Sequence, residues 1–109
     1  MDFVTMNILE SSMVSLCKEM GIVLMKTSYS TIFNEALDFT CGLADMNGDM
    51  IAVADYCPAQ IGGMPLLVKS CLKEIPIDEI EEGDVILHND PYRGGLHTRE
   101  HTFFKPIFV

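Results

Sequence analysis

The dipeptide Asn47-Gly48 restricts the backbone of this chain more than any other feature. Asn and Gly accept positive φ, which a two-residue type I′ turn requires at both of its central positions. On either side run Phe39–Asp45 and Met50–Asp55, short and largely apolar, so the expectation is an antiparallel β-hairpin turning at Asn47-Gly48. A two-stranded hairpin is not stable alone, and its apolar face needs a cover. Upstream, Met6, Leu9, Met13, Leu16, Met20 and Val23 recur at spacings of three and four, predicting a helix over residues 3 to 26 whose stripe is core, with Gly21 as its weak point. Downstream, Cys57 to Met64 reads as an irregular crossing, in which Gly62-Gly63 offers a weak anion cradle before the next helix. Pro65 suits the first turn of that helix, Met64, Leu67, Val68, Cys71, Leu72 and Ile75 its apolar face, and Pro76 its end. An acidic turn, a strand over Val85–Leu87 and a last strand from Thr102 to Val109 complete the chain. The predicted fold class is α+β, helices packed on a mainly antiparallel sheet, in the order helix, hairpin, helix, strand, strand. Residues 1–109 are one domain at most, large enough for a modest core.

Sixteen acids against seven bases leave a net charge of −9, which argues against nucleic acid as a partner, since that needs a basic face. Much of the acid lies in Glu74, Asp78, Glu79, Glu81, Glu82 and Asp84, and reads as a solvated turn. Cys17, Cys41, Cys57 and Cys71 have no metal or redox spacing and each sits in or beside an apolar segment, as free buried thiols do. The first residues lack the basic region of a secretion signal, and no apolar run reaches membrane-spanning length, so the expected location is the cytoplasm, with no membrane partner. The apolar end, Phe103 to Val109, is a pairing liability if left bare. The expectation is a piece of something longer, or a chain covered by a partner.

All three histidines fall in one stretch, His88-Asn-Asp-Pro-Tyr-Arg-Gly-Gly-Leu-His-Thr-Arg-Glu-His101, between two strand-like runs. Imidazole and carboxylate side chains on a glycine-rich loop suit a borderline divalent ion such as Mn²⁺, Zn²⁺ or Fe²⁺. Asp90 is the candidate to orient a ligating histidine through its second ring nitrogen, while Tyr92 and Arg93 are candidates to bind an anionic substrate or phosphate. The plainer alternatives are that Asp90 caps the Pro-Tyr turn, Tyr92 packs and Arg93 is solvated. His88, at a strand end, is expected only to hydrogen-bond there. Ser28 and Ser30 lack a nucleophile elbow, and capping explains them more simply.

Several stretches resemble the N-terminal part of the hydantoinase B/oxoprolinase family, which includes B subunits of N-methylhydantoinases, part of 5-oxoprolinase and a large subunit of acetone and acetophenone carboxylases. The matching residues are Thr27-Ser-Tyr-Ser30, Glu35, Asp38-Phe-Thr-Cys41, the hairpin with Asn47-Gly48, Asp55 through Pro65, Gly83-Asp-Val85 and above all Asn89-Asp-Pro-Tyr-Arg-Gly-Gly-Leu-His97. The resemblance implies a metal-dependent subunit that completes hydrolysis of a cyclic amide (a hydantoin or 5-oxoproline) or carboxylation of a ketone. It also implies an A-type partner that binds ATP and activates the small-molecule substrate by phosphorylation. His97 and the acid three residues on, Glu100, fall where the family has metal ligands, with His101 beside them. Many relatives carry Asp at the second place, and a histidine common before Gly-Met-Pro is Gln60 here. At least one more ligand has to come from the remainder of the B subunit or a neighbouring loop.

Two competing expectations stand beside this one. His97-Thr-Arg-Glu-His101 literally matches the His-x-x-Glu-His pattern of zinc peptidases, but Gly94-Gly95 before it and Pro106 after it disfavour the helix that pattern needs. Alternatively, the 109 residues are a truncated, non-catalytic folding or interaction module of such a complex.

Overall fold

The computed structural model describes all residues, Met1–Val109. The first helix, α1, spans Phe3–Thr27. Asp2 caps it, its carboxylate accepting from the Thr5 N–H at 2.7 Å, and Lys26 sits at the negative end of the helix dipole. The helix is where the apolar spacing puts it, but its buried face is not the expected stripe. Cys17 and Gly21 are the buried positions of α1, with Met13 and Val14 half-buried beside them. Met6, Leu9, Leu16, Met20 and Val23 are all exposed. The helix is apolar on more than one side, and only one side meets the rest of these residues.

Gly21 is a seat for another ring rather than a weak point. A Cβ there would lie 2.1 Å from Cε2 of Tyr56, whose hydroxyl donates to the Lys18 carbonyl at 2.7 Å. Tyr56 in turn stacks at a tilt on Phe39, centroids 4.6 Å apart. A short helix, α2 (Thr31–Asn34), follows α1. Ser30 caps it by accepting from the Ile32 N–H, and Ser28 accepts from the Ser30 N–H, so both hydroxyls hold turns as expected.

Strands β1 (Gly42–Ala44) and β2 (Met50–Val53) pair antiparallel, with the register irregular beside Ala44. The connection is not type I′. Gly48 has φ +81°, but Asn47 does not have positive φ. The Asp45 carboxylate accepts from the N–H groups of Asn47 and Asp49, both at 2.9 Å, and the Gly48 N–H donates to the Asp45 carbonyl. Asp at the first place and Gly at the fourth favour a type I turn closed by a left-handed glycine, and this wins over the two-residue form. Lys69 pins the tip through Asp49 at 2.6 Å.

Helix α3 spans Pro58–Glu74, so it begins seven residues before the expected Pro65. Pro58 occupies the first turn just as well as Pro65 would. Gly62 and Gly63 therefore lie inside the helix, not at its start, and supply no anion cradle. After a 3-10 turn at Ile77–Glu79, β3 (Ile86–His88) pairs antiparallel with β4 (Thr102–Phe104). β4 stops before Pro106, which has no N–H for a ladder. The antiparallel pairing thus takes the form of two separate two-stranded sheets, with helices beside them. The buried core is small and built mainly from small side chains: Cys17, Ala52 and Ala54 cluster, with Met13, Val14, Leu43 and Tyr56 packed against them, and Phe39, Cys41, Leu67 and Cys71 are also buried. All four cysteines are free, and burial pushes the thiols of Cys17, Cys41 and Cys71 up, keeping them protonated. No helix is long and apolar enough to cross a membrane.

Candidate functional site

The β3–β4 ladder sets His88 opposite Thr102 and so closes residues 89–101 into a loop. Within it, Pro91–Arg93 form a 3-10 turn capped by Asp90, whose Oδ1 accepts from the Tyr92 N–H at 2.9 Å. The Asp90 carbonyl accepts from both Arg93 and Gly95 N–H groups at 3.1 Å. Farther round, the Asn89 side chain donates to the Thr98 carbonyl at 3.0 Å. His88 Nδ1 accepts from the Asp90 N–H at 3.3 Å, and its Nε2 is buried without a partner.

Two contacts dock this loop on α3. Gly94, at φ +102°, lies so near the helix that a Cβ would sit 2.8 Å from the Leu67 nitrogen. Gly63 faces it, its own missing Cβ 3.3 Å from the Gly94 carbonyl oxygen. Beside them the Arg93 guanidinium bridges Asp90 of the loop and Glu74 of α3. The Tyr92 N–H first, and then Arg93, hold the Asp90 carboxyl below the usual carboxylate range. Asp90 and Glu74 push the Arg93 guanidinium up. Asp90 is therefore bonded to the Pro-Tyr turn and to Arg93, whereas Tyr92 is fully exposed.

Glu100 is the residue the fold surrounds with donors. Its N–H donates to the His97 carbonyl at 3.1 Å, closing a turn that brings the backbones of 97 and 100 together. Its Oε2 accepts from the Leu96 N–H at 3.3 Å and its Oε1 from Gln60 Nε2 at 2.7 Å. The same Gln60 nitrogen donates to Asp38 Oδ1 at 3.0 Å. Asp38 follows Leu37, which holds an unusual positive φ of 54° for a side chain of its size. Nothing in composition or spacing links Asp38, Gln60 and Glu100. The one signal was that Gln60 stands where the resembled family has a histidine.

His97 and His101 are exposed and Glu100 is half-buried. No three His, Cys, Asp or Glu side chains converge closely enough to hold a metal ion. In donor chemistry His97 and Glu100 fit a borderline divalent ion, as part of a ligand set rather than a whole one. Residues 97–101 form a turn, not a helix, so the His-x-x-Glu-His reading lacks the geometry it requires.

Comparison with known proteins carries this further. The model of the hydantoinase B/oxoprolinase family matches residues 2–109. An uncharacterised protein of Methanocaldococcus jannaschii is 40% identical over 99% of this chain and 20% of its own length. A caprolactamase subunit beta of Pseudomonas jessenii is 36% identical over 98% of this chain and 18% of its own. For 5-oxoprolinase 1 of Arabidopsis thaliana the identity is 35%, over 98% of this chain and 8% of the relative. The chain thus spans a fifth or less of these relatives. No solved structure matches it. With the family model matched over nearly every residue, the chain belongs to the hydantoinase B/oxoprolinase family.

Proposed function

We propose that these residues are the leading portion of a metal-dependent B-type subunit that hydrolyses a cyclic amide at the expense of ATP, the nucleotide being bound by an A-type partner. Relatives named 5-oxoprolinase and caprolactamase support a lactam as substrate class, the family description adds a hydantoin, and the designation "subunit beta" supports a partner subunit. A ketone carboxylase remains the sibling activity within the same reading. Four free thiols suit the cytoplasm as its place of work.

One observation carries the proposal: a loop docked on α3 by Gly63 and Gly94 presents His97 and Glu100 on a single turn, with the Glu100 carboxylate already oriented by two N–H donors. In this reading His97 and Glu100, with His101 beside them, supply some ligands, and the remainder of the subunit supplies the others. A bound Mn²⁺, Zn²⁺ or Fe²⁺ would polarise the reacting carbonyl and lower the pKa of water. Asp90 and Glu74 hold the Arg93 guanidinium while Tyr92 stands exposed, and in this reading Arg93 and Tyr92 contact the phosphorylated or anionic substrate.

The test is made on the full-length subunit with its partner. Bound metal is counted and ATP-dependent turnover is assayed on 5-oxoproline, hydantoin and caprolactam, for the parent and for His97→Ala. Loss of metal and of turnover together is the expected result. Unchanged metal stoichiometry removes the metal claim, and absence of ATP-dependent turnover on all these amides directs the search to ketones.

A further inference from the structure

We infer that Gln60 is the positioning residue for the Glu100 carboxylate, anchored on its other side by Asp38. The inference rests on the reading of Glu100 as a metal ligand. Its physical basis is independent of that reading. Glu100 lies at the end of a loop, forty positions from Gln60 in sequence, and a free glutamate there would sample several rotamers. Gln60 Nε2 takes Oε1 at 2.7 Å while the Leu96 N–H takes Oε2 at 3.3 Å. Each carboxylate oxygen has two acceptor sites, so each keeps one for a further partner. A carboxylate fixed in this way keeps half its acceptor capacity, as a pre-oriented ligand requires.

The orientation of Gln60 is itself determined. Its second N–H goes to Asp38 Oδ1 at 3.0 Å, so two carboxylates accept from one nitrogen. Turning the amide over would set its oxygen against both of them, which forbids the flip. The cost is visible: Gln60 Oε1 is buried and has no partner. A simple structural clip would need one acid and would not draw two like charges towards the same atom. The structure accepts an orphaned carbonyl and a like-charge approach, and what it obtains is a fixed Glu100.

The test uses Mn²⁺ alone, titrated into the full-length subunit and read by electron paramagnetic resonance, beside kcat and KM of the assembled enzyme. Gln60→Met keeps the side-chain volume and removes both donors; Gln60→Glu adds a third carboxylate. Both should weaken Mn²⁺ binding about 10- to 100-fold, the range seen when a group orienting a ligand is lost. The accompanying fall in activity should be in kcat, with KM for the amide little changed. Gln60→His, which returns an N–H of similar reach, should recover most of the affinity. Should Gln60→Met unfold the subunit, Asp38→Asn, which releases the anchor but spares packing, is read in its place and should weaken Mn²⁺ in the same sense. Parent-like Mn²⁺ affinity in Gln60→Met, with binding lost in Glu100→Ala, overturns the inference alone. So does an equal loss in Gln60→Met and Gln60→His, which marks packing. Parent-like Mn²⁺ binding in Glu100→Ala overturns the metal reading itself.

Discussion

Gly94 and Leu67 are in backbone contact: a Cβ on the glycine would lie 2.8 Å from the Leu67 nitrogen and 3.0 Å from its Cα. This contact seats the histidine-bearing loop on α3, and neither backbone can yield as a flexible side chain would. Gly94→Ala therefore meets two penalties, a φ of +102° that L side chains avoid and a clash with helix backbone. Strain of the first kind costs about 1–3 kcal/mol, and the overlap adds to it. Gly83 is the internal control, with φ +99° and nothing within 4 Å of its missing Cβ. Denaturant titration should show Gly94→Ala clearly less stable than Gly83→Ala, and Gly94→Ala should also lose hydrogen-exchange protection in the loop. Equal destabilisation of the two would show that the α3 contact contributes nothing.

The helical glycines make a second pair. At Gly21 an added methyl group enters the ring of Tyr56, whereas at Gly62 it meets nothing within 4 Å. Alanine is favoured over glycine inside a helix by about 1 kcal/mol. Gly62→Ala should raise stability by roughly that amount, and Gly21→Ala should lower it by about 1–3 kcal/mol, as overpacking does. Tyr56→Phe should cost about 1 kcal/mol for the bond to the Lys18 carbonyl. Thermal unfolding of the three variants reads all of this. A stabilised Gly21→Ala would mean that Tyr56 does not pack there.

The contrast between these glycines explains how much was legible in the sequence. Periodicity located α1, and the turn residues located the hairpin, because both signals are local and backbone-determined. Which side of α1 is buried was not legible, since that depends on where the hairpin and Tyr56 come to rest. The start of α3 was misread because Pro58 and Pro65 are both acceptable to a first turn, and Gly62-Gly63 resembled a break. At the site, the loop, its glycines and the capping role of Asp90 were readable from residue types. The link from Gln60 to Glu100 and Asp38 was not, because three segments distant in sequence meet only after folding.

Acid should weaken this fold through its capping aspartates. Asp2, Asp45 and Asp90 all have carboxyls held below the usual carboxylate range, each chiefly by an accepted backbone N–H bond: from Thr5, Asp49 and Tyr92. A depressed folded pKa means that the unfolded chain binds more protons in that range. The stabilisation is thus fully present above the ordinary carboxylate range and is lost as pH falls through the folded values. Arg93, whose pKa is raised, keeps its contribution at every pH below its ordinary value and adds nothing to this profile. Stability measured from pH 7 down to pH 2 should fall most steeply below about pH 4. Asp90→Asn should be less stable than the parent at pH 7 and converge with it in strong acid. A constant difference across the range would show that the Asp90 charge is not involved.

The exposed side of α1 yields the last prediction. Leu9 is 44% exposed, Leu16 53% and Val23 61%, spaced seven apart along one face of a helix whose only buried positions are Cys17 and Gly21. A continuous apolar strip of this kind marks an interaction surface rather than a solvated one. If the remainder of the subunit or its partner covers it, one substitution should act oppositely in two settings. Leu16→Lys should make residues 1–109, expressed alone, more soluble and less able to bind a hydrophobic dye, because the leucine is exposed there. In the full-length subunit the same change would bury a charge where a leucine is worth about 2–3 kcal/mol, and should destabilise by at least that much. Tolerance of Leu16→Lys in both settings would show that this side of α1 faces water throughout.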